Sequence, residues 1–249
     1  MFVFCNDPLL IPESQALAER LKVPFESDIP GREGEIHIEK TDEGLFLRRE
    51  GLSFCVDTEK VKKRIKTGNL QKEMIVSAVN IKKHTGTLKV LDATAGLGED
   101  SFILGAAGFD VTMYEYNPVI AALLEDGLKR LFYNPEFAML KERLQLCVGD
   151  SISAMKEMKG EFDVIFLDPM FPKRTKSSDV KKKFQLLQDI EVPCENEEEL
   201  LHAALAAGAK KVVIKRPAKG PALGGIKCDF SYSGKAIRYD CIVNTERFV

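Results

Sequence analysis

The feature that most constrains this chain is an alternation of short apolar runs and amphipathic segments that begins at Lys89. Parallel neighbours in a sheet need crossover connections of about a dozen or more residues, usually a helix, and a strand covered on both faces is apolar throughout. The alternation therefore predicts an α/β fold in which helices cover both faces of a mostly parallel sheet. The runs expected as strands are KVLDAT, DVTMYEY, LQLCVGD, DVIFLDP and KVVIKRP.

The sequence also predicts the remaining elements of this part of the chain. Two last candidate strands, CDFSYS and IRYDCIV, are separated only by GKA. A connection this short joins antiparallel neighbours, so we expect a hairpin at the end of the sheet. The helices are predicted to begin near Glu99, Pro118, Ser151, Asp179 and Glu197.

The first third of the chain has a different pattern. PESQALAERLKV is predicted as a short helix, and the alternating segments EIHIEKT and LFLRREG, with DEG between them, as a hairpin. The helical spacing of apolar residues in NLQKEMIVSAVNIKKHTG predicts a connecting helix that closes at Gly86. We therefore expect a small N-terminal α+β domain over 1–68 and a larger α/β domain over 69–249.

Composition limits the classes of protein to which the chain can belong. With 249 residues, 45% of them hydrophobic and 30% charged, it is typical of globular proteins. The apolar stretches fall far short of the roughly 20 residues of a membrane span, and the first residues do not resemble a signal peptide. Six scattered cysteines form no C-x-x-C pair and three histidines do not cluster with them, which predicts reduced thiols and no metal. We expect a cytoplasmic protein.

A glycine-rich turn, DATAGLGEDS, follows the first strand of the alternation. In open parallel sheets ligands bind beyond the carboxyl ends of the strands, where the strand order reverses. Gly96 and Gly98 would let the backbone approach a ligand there, although any tight strand-to-helix turn favours glycine. The turn and the preceding Asp92 are therefore the first candidates for a binding site.

Acidic residues also end the next two strands. Glu115 follows Asp92 at close to the roughly 20-residue offset at which a carboxylate accepts hydrogen bonds from a ribose. We favour this role over the alternative, a glutamate that caps the helix beside Asn117. After the third strand, Asp150 or Ser151 either contacts an adenine edge or caps the next helix, and the sequence favours neither.

These features predict a cofactor with an adenosine-like ribose, and two classes of cofactor compete. A nicotinamide enzyme would carry G-x-G-x-x-G/A, whereas Gly96 and Gly98 are followed by Glu99 and Asp100. Carboxylates at a helix start would repel a pyrophosphate. S-adenosylmethionine has no phosphate, and its positive sulfonium and ammonium tolerate carboxylates such as Asp92 and Asp100. The sequence therefore favours S-adenosylmethionine.

The motifs DATAGLG, YEYNP and LDPMFP together resemble the class I S-adenosylmethionine-dependent methyltransferases. More narrowly, DATAGLGEDSFILGAAG, NPVIAALLEDGLKR, ERLQL, LDPMFP and VVIKRP are similar to the bacterial small-subunit ribosomal RNA methyltransferases of the J type. That family acts on the N2 amine of one guanosine near the 3′ end of 16S rRNA. The resemblance covers about residues 64 to 243 and is weak over the N-terminal third.

The resemblance implies a Rossmann-like fold with a seven-stranded sheet, S-adenosylmethionine as cofactor, and 16S rRNA or the small ribosomal subunit as partner. Glu99 and Tyr116 stand where some relatives carry basic residues, so backbone contacts are expected at these two positions. The cofactor-binding positions that it implies are Glu99, Asp100, Glu115, Tyr116, Asp150, Ser151 and Asp168.

The motif DPMFP ends the fourth strand and is similar to the Asp/Asn-Pro-Pro-aromatic motif of amino-methyltransferases, from which it departs at Met170. An exocyclic amine is a poor nucleophile because its lone pair is delocalised into the ring, so two acceptors must align it with the methyl group. The motif predicts the Asp168 carboxylate and the Pro169 carbonyl as these acceptors. Phe171 would stack on a base swung out of its helix. The alternative is structural, with Asp168 as a helix cap and Phe171 in the core.

The net charge of -2 gives no global signal for nucleic-acid binding, but basic residues cluster at KVKKRIK, PKRTK, KKK and KKVVIKRPAK. Taken singly, each cluster is typical of a solvated surface. Together, cations near the strand ends predict a rim that binds RNA phosphates beside the site. The residues of this rim are Lys173, Arg174, Lys176, Lys181, Lys182, Lys183, Lys215 and Arg216.

Three functions remain open at this point. The first is methylation of a guanosine N2 amine in ribosomal RNA. The second is methylation of another amine, on a different RNA base, a DNA adenine or a protein glutamine. The third is RNA binding without catalysis on a methyltransferase scaffold. Cofactor binding separates the third function from the others, and nucleoside analysis separates the first two. The sequence leaves the oligomeric state open.

Overall fold

The structure, a computed structural model, describes residues 1–28, 34–70, 72–169, 186–187, 189–190 and 196–243. Its strands are β1 (Phe2–Phe4), β2 (Phe25–Glu26), β3 (His37–Thr41), β4 (Gly44–Arg49), β5 (Leu52–Phe54), β6 (Lys89–Asp92), β7 (Asp110–Glu115), β8 (Leu144–Val148), β9 (Val164–Leu167), β10 (Lys211–Pro217), β11 (Phe230–Ser233) and β12 (Ile237–Val243). Its α-helices are α1 (Ile11–Leu21), α2 (Thr58–Ile65), α3 (Thr67–Leu70), α4 (Met74–Val79), α5 (Glu99–Ala106), α6 (Pro118–Tyr133), α7 (Ser151–Glu157) and α8 (Glu197–Ala206).

The larger sheet has seven strands in the order β11-β12-β10-β9-β6-β7-β8. The five strands from β8 to β10 in this order are parallel, and β12 runs antiparallel to both β10 and β11. This confirms the predicted Rossmann-like α/β fold and the terminal hairpin. The strand order reverses between β6 and β9, so the crevice expected to bind a ligand lies at the carboxyl ends of these two strands.

Helices begin where the sequence predicts them. Asn117 shows why for α6: its side-chain oxygen accepts hydrogen bonds from the amides of Val119 and Ile120, and Pro118 occupies the first turn. The starts of α5, α7 and α8 are confirmed as well. The helix predicted near Asp179 lies outside the described residues.

The N-terminal sheet has five strands in the order β2-β1-β3-β4-β5. The predicted helix is α1, and the predicted hairpin is the antiparallel pair of β3 and β4, in which Thr41 pairs with Gly44. The sequence analysis did not predict β1, which pairs in parallel with both β2 and β3. A strand of three residues is too short to show periodicity, so the pattern could not reveal it.

The connecting helix predicted to close at Gly86 is wrong in its extent. Among the described residues of this segment, α3 ends at Leu70 and α4 covers Met74–Val79, and Asn80 leaves the helical conformation with a ψ of 135°. The buried Lys211 ends the helix, because its ammonium donates hydrogen bonds to the carbonyl oxygens of Ala78 at 2.9 Å and Asn80 at 2.7 Å. A cation at a helix C-terminus satisfies carbonyls that have no partner in the helix.

The two sheets share a continuous hydrophobic core that extends from Val3 and Ile38 to Phe102 and Phe166. Where α6 crosses the N-terminal segment, an added Cβ at Gly127 would lie 2.6 Å from Val56 Cγ1, so this close approach requires glycine. The division into domains over 1–68 and 69–249 therefore stays a prediction.

Other predictions concern metals, membranes and thiols. Nowhere in the described ranges do three or more potential ligand side chains group in a way that could hold a metal ion. No helix among the same residues combines the length and apolar character needed to cross a bilayer. The thiols of Cys5, Cys55, Cys147, Cys228 and Cys241 are free, and Cys194 lies outside the described residues.

Candidate active site

The candidate site lies where β6 and β9 end side by side. The amide of Ala93 donates to the carbonyl of Phe166 at 3.0 Å, and the amide of Asp168 donates to the hydroxyl of Thr94 at 2.6 Å. These bonds join the glycine-rich turn after β6 to the start of the DPMFP motif after β9. The structure therefore brings together the two motifs that the sequence analysis singled out.

Both glycines of the turn have a positive φ, and an added side chain would also be crowded at Gly98. Gly98 has a φ of 74° at the N-cap of α5, and Gly96 has a φ of 53°. An added Cβ at Gly98 would lie 2.7 Å from Leu124 Cδ1, so the Leu124 side chain would have to move to admit one. The turn thus brings bare backbone to the mouth of the crevice.

Glu115, at the end of β7, is fixed by backbone amides. Its Oε2 accepts from the Gly96 amide at 2.8 Å, and its Oε1 accepts from the Asn117 amide at 2.7 Å. Burial raises its pKa, and the hydrogen bonds from the backbone amides oppose that effect. Because each carboxylate oxygen has two lone pairs, both can still accept from a ribose hydroxyl. The alternative was that Glu115 caps α6. In the structure, the side chain of Asn117 caps this helix instead.

The exposed Asp150 caps α7. Its carboxylate accepts from the Ile152 amide at 3.1 Å, from the Ser153 amide at 3.1 Å and from the Ser153 hydroxyl at 2.6 Å. Burial raises the pKa of Asp150, but these hydrogen bonds outweigh that effect and lower it. The structure therefore supports the capping alternative for Asp150, while Ser151 is buried at the first position of the helix.

Two large apolar side chains are exposed at the neighbouring strand ends. Tyr116 is 69% exposed and Val148 is 62% exposed. Tyr116 directly follows Glu115, which pairs with Val148 in the sheet. The sequence analysis did not single out Val148, for which the only signal was a β-branched residue directly before a glycine-aspartate turn. Both are therefore exposed apolar side chains at the ends of β7 and β8.

Asp92 is the most buried acid of the site, with 1% of its surface exposed. It accepts from the Ser101 hydroxyl at 2.6 Å and from the Thr94 amide at 3.2 Å. Burial raises its pKa to about 7, against the effect of these two hydrogen bonds. Asp92 thus connects the glycine-rich turn to the first turn of α5 through its two carboxylate oxygens.

Lys215, on β10, lies between two carboxylates of the site. Its ammonium is 2.5 Å from Asp100 Oδ2 and 2.8 Å from Asp168 Oδ2. Burial lowers the pKa of Lys215, but the two carboxylates outweigh burial and raise it. Burial raises the pKa of Asp168 and Lys215 lowers it, with a net rise. One ammonium therefore pairs with both acids, and the group keeps a net charge of -1 when both carboxylates are ionised.

The prediction of Lys215 and Arg216 as part of a phosphate-binding rim is wrong. Lys215 is already paired inside the site, and Arg216 is only 3% exposed, with its Nε donating to the Pro221 carbonyl at 3.0 Å. Alternate residues of a strand face opposite sides of a sheet, so adjacent cations cannot share one rim. The other rim residues, Lys173 to Lys183, and Met170 and Phe171 of the motif lie outside the described residues. Pro169 is buried.

Glu99, at the start of α5, faces the N-terminal segment. Its Oε1 accepts from Lys60 Nζ at 2.9 Å, and its Oε2 accepts from Arg64 at 3.2 Å. Both cations belong to α2. The Glu99 side chain is thus engaged by α2, and the backbone is the part of Glu99 left for a cofactor contact.

The residues present fit S-adenosylmethionine. A glycine turn exposes backbone, an oriented carboxylate suits a ribose, and exposed apolar side chains suit a flat ring. Acids rather than cations dominate the start of α5, which suits a cofactor that is positive and lacks phosphate. The donor set therefore agrees with the cofactor favoured by the sequence.

A separate cleft of about 200 Å³ lies between α1, the β3–β4 hairpin and α6. Its charges pair with one another: Arg20 lies 2.8 Å from Glu125, and Lys40 lies 3.3 Å from Asp126. None of the predicted site residues lines this cleft.

Comparisons with known proteins agree with the geometry. The family model of the SAM-dependent methyltransferases matches residues 33–244. The ribosomal RNA small subunit methyltransferase J of Pseudomonas aeruginosa strain UCBPP-PA14 is 40% identical over 237 residues, which cover 90% of this chain and 87% of that protein. The protein of the same name from Shewanella sp. strain MR-4 is 37% identical over 98% of this chain and 93% of its own length.

A solved structure extends the agreement to three dimensions. The crystal structure of a SAM-dependent methyltransferase from Neisseria gonorrhoeae superposes with a TM-score of 0.76 at 29% identity, covering 98% of this chain and 96% of that one. Both the N-terminal sheet and the larger sheet therefore belong to a shared architecture. By sequence and by fold, the chain belongs to the small-subunit ribosomal RNA methyltransferase J family of S-adenosylmethionine-dependent methyltransferases.

Proposed function

We propose that this protein transfers a methyl group from S-adenosylmethionine to the exocyclic N2 amine of one guanosine in 16S rRNA of the small ribosomal subunit, in the cytoplasm. The observation that carries the proposal is the hydrogen bond from the Asp168 amide to Thr94. This bond joins the first residue of the DPMFP motif to the glycine-rich turn, which supports a site shared by the two segments. The substrate follows from the relatives, which are named for methylation of small-subunit ribosomal RNA.

The cofactor would lie across the carboxyl ends of β6 and β7. When bound, S-adenosylmethionine supplies an electrophilic methyl group. Glu115 would accept hydrogen bonds from the ribose, and Tyr116 and Val148 would cover the adenine. The remaining contacts are proposed for Asp92, Gly96, Gly98, Glu99, Asp100 and Ser151, with Asp150 acting mainly as the cap of α7.

Asp168 and Pro169 would align the target amine. The Asp168 side chain is 31% exposed, so it is only partly covered by the protein. A carboxylate and a backbone carbonyl that accept the two N–H bonds of an amine direct its lone pair along one line. Phe171 would stack on the base, which must leave its helix to reach these acceptors.

Lys215 would hold Asp168 in this role. Its bond to Oδ2 leaves Oδ1 of Asp168 for the substrate and opposes the protonation that burial favours. A neutral carboxylic acid would present a donor where the amine needs an acceptor. Lys215 is therefore proposed as a positioning residue.

The test is incubation with labelled S-adenosylmethionine and small ribosomal subunits from cells that lack this enzyme, beside protein-free 16S rRNA. Digestion to nucleosides should place the label in N2-methylguanosine. Label in an adenosine or in ribosomal protein would show that the enzyme methylates another amine. Cofactor binding without any labelled product would point to RNA binding without catalysis.

A further inference from the structure

The N-terminal segment reaches the active site through α2. Lys60 and Arg64 converge on the two oxygens of Glu99, which begins the helix after the glycine turn. The basic cluster KVKKRIK, whose role the sequence left open, is thus placed at the carboxyl edge of the large sheet. A basic helix here is positioned to contact whatever enters the site.

Contacts continue from α2 to the terminal hairpin. Arg64 also binds Glu73 at 3.2 Å, directly before α4. The next residue, Met74, packs against the turn between β11 and β12, where an added Cβ at Gly234 would lie 2.8 Å from Met74 Cε. The hairpin turn is therefore a neighbour of α2 along the same edge of the sheet.

The loop after β10 completes this edge. The Ala218 amide donates to the Ala236 carbonyl at 2.9 Å, which joins the loop to the hairpin turn. Arg238 fixes the loop further, because its guanidinium donates to the carbonyls of Pro217 at 2.8 Å and Gly220 at 2.9 Å. The loop directly follows the strand that carries Lys215.

Exposed lysines follow this line of contacts. Lys60, Lys66, Lys219 and Lys235 are all exposed, and we call them the basic strip. Apart from Lys60, which pairs with Glu99, they form no ion pair with any residue for which the structure gives a position. The chain as a whole carries a net charge of -2, so this strip is a local concentration of positive charge.

We propose that the basic strip binds the phosphates of the RNA that flank the methylated guanosine, so that α2 and the terminal hairpin hold the strand while its base enters the site. This rests on the proposed function. Phosphate contacts fix the register of a nucleic acid without reading its sequence, which suits lysines on three separate elements. The partner is a polyanion, because unpaired cations would gain most from releasing its counterions.

The test compares two triple variants with the same loss of charge. The strip variant carries Lys66→Ala, Lys219→Ala and Lys235→Ala. The control carries Lys82→Ala, Lys141→Ala and Lys159→Ala, three exposed lysines that precede β6, β8 and β9 and so lie at the opposite edge of the sheet. Each protein is co-sedimented with small ribosomal subunits over a series of salt concentrations, and calorimetry of S-adenosylmethionine binding verifies the fold.

The strip variant should bind the subunits more weakly at low salt. A plot of the logarithm of the binding constant against the logarithm of the salt concentration should also be less steep, with a slope smaller in magnitude by about 2, since each lost contact with single-stranded RNA removes about 0.7. The control should match the wild type. Equal affinities and slopes for the two variants would overturn the proposal, as would a wild type that does not bind. Methylation by the same wild-type samples tests the proposed function separately, because binding without methylation leaves the strip supported.

Discussion

Lys215 Nζ lies 2.8 Å from Oδ2 of Asp168, the acid that begins the DPMFP motif. The same ammonium is 2.5 Å from Asp100, so the three side chains form one group in the candidate site. Two carboxylates this close would repel each other without the cation between them. The charge state of Asp168 therefore depends on β10 as well as on its own strand.

We expect Lys215→Met to lower kcat and to move its acid limb to higher pH. Burial already raises the pKa of Asp168, Asp100 raises it further, and Lys215 and Arg216 lower it. Loss of Lys215 raises this pKa again, so the active carboxylate is lost at a higher pH. The measurement is kcat against pH, with Lys215→Arg expected to restore most of the profile. An acid limb identical to the wild type would show that Lys215 does not tune Asp168.

Glu115→Ala should weaken S-adenosylmethionine binding by roughly 1.5 to 3 kcal/mol, the usual range for hydrogen bonds to charged groups. Glu115→Gln should lose less binding free energy, because its one remaining oxygen can still accept a hydrogen bond, either from the Gly96 amide or from a ribose hydroxyl. Titration calorimetry on the folded variants decides the matter. Unchanged affinity in Glu115→Ala would remove the ribose assignment, and tight binding of NADH by the wild type would contradict the cofactor class.

Asp92→Asn should stabilise the protein more at alkaline than at acid pH. The pKa of Asp92 is about 7 in the folded protein and near 3.8 in the unfolded chain, so the unfolded state releases its proton first as the pH rises. Stability is therefore lost between these two values, and the asparagine variant escapes that loss. The gain in the free energy of unfolding should grow by about 2 to 3 kcal/mol between about pH 5 and pH 8. Urea unfolding of both proteins at both pH values measures this gain. A difference between variant and wild type that does not change with pH would contradict the raised pKa of Asp92.

Much of the large sheet could be predicted because its strands are buried on both faces and read as apolar runs. The starts of α5 and α6 were predictable for a local reason, since glycine, asparagine and proline act within a few residues. The connecting helix was overpredicted because a lysine distant in sequence, Lys211, ends it. Periodicity contains no information about such a contact.

The site was predictable to a similar degree. Glu115 and Asp168 stand at strand ends, where topology alone brings them to one edge. The partner of a charge is set by tertiary packing, so Lys215 was assigned to the surface although it lies between two acids. The same holds for α2. Its sequence is typical of a solvated surface, and only the structure shows that Lys60 pairs with Glu99.

Asp168→Ala should fold and retain most of its cofactor affinity, because the contact between the motif and Thr94 uses the Asp168 backbone amide. Turnover should fall by at least about a hundredfold, since an acceptor that aligns the amine is lost.

Phe171→Ala should also reduce turnover by loss of base stacking, and Phe171→Tyr should retain more activity.

The most direct measurement is mass spectrometry of nucleosides from small ribosomal subunits of enzyme-deficient cells, after incubation with labelled S-adenosylmethionine and either the wild type or Asp168→Ala. We predict labelled N2-methylguanosine with the wild type, and almost none with a variant that still binds the cofactor. Label in any other nucleoside, or equal N2-methylguanosine from both proteins, would contradict the account.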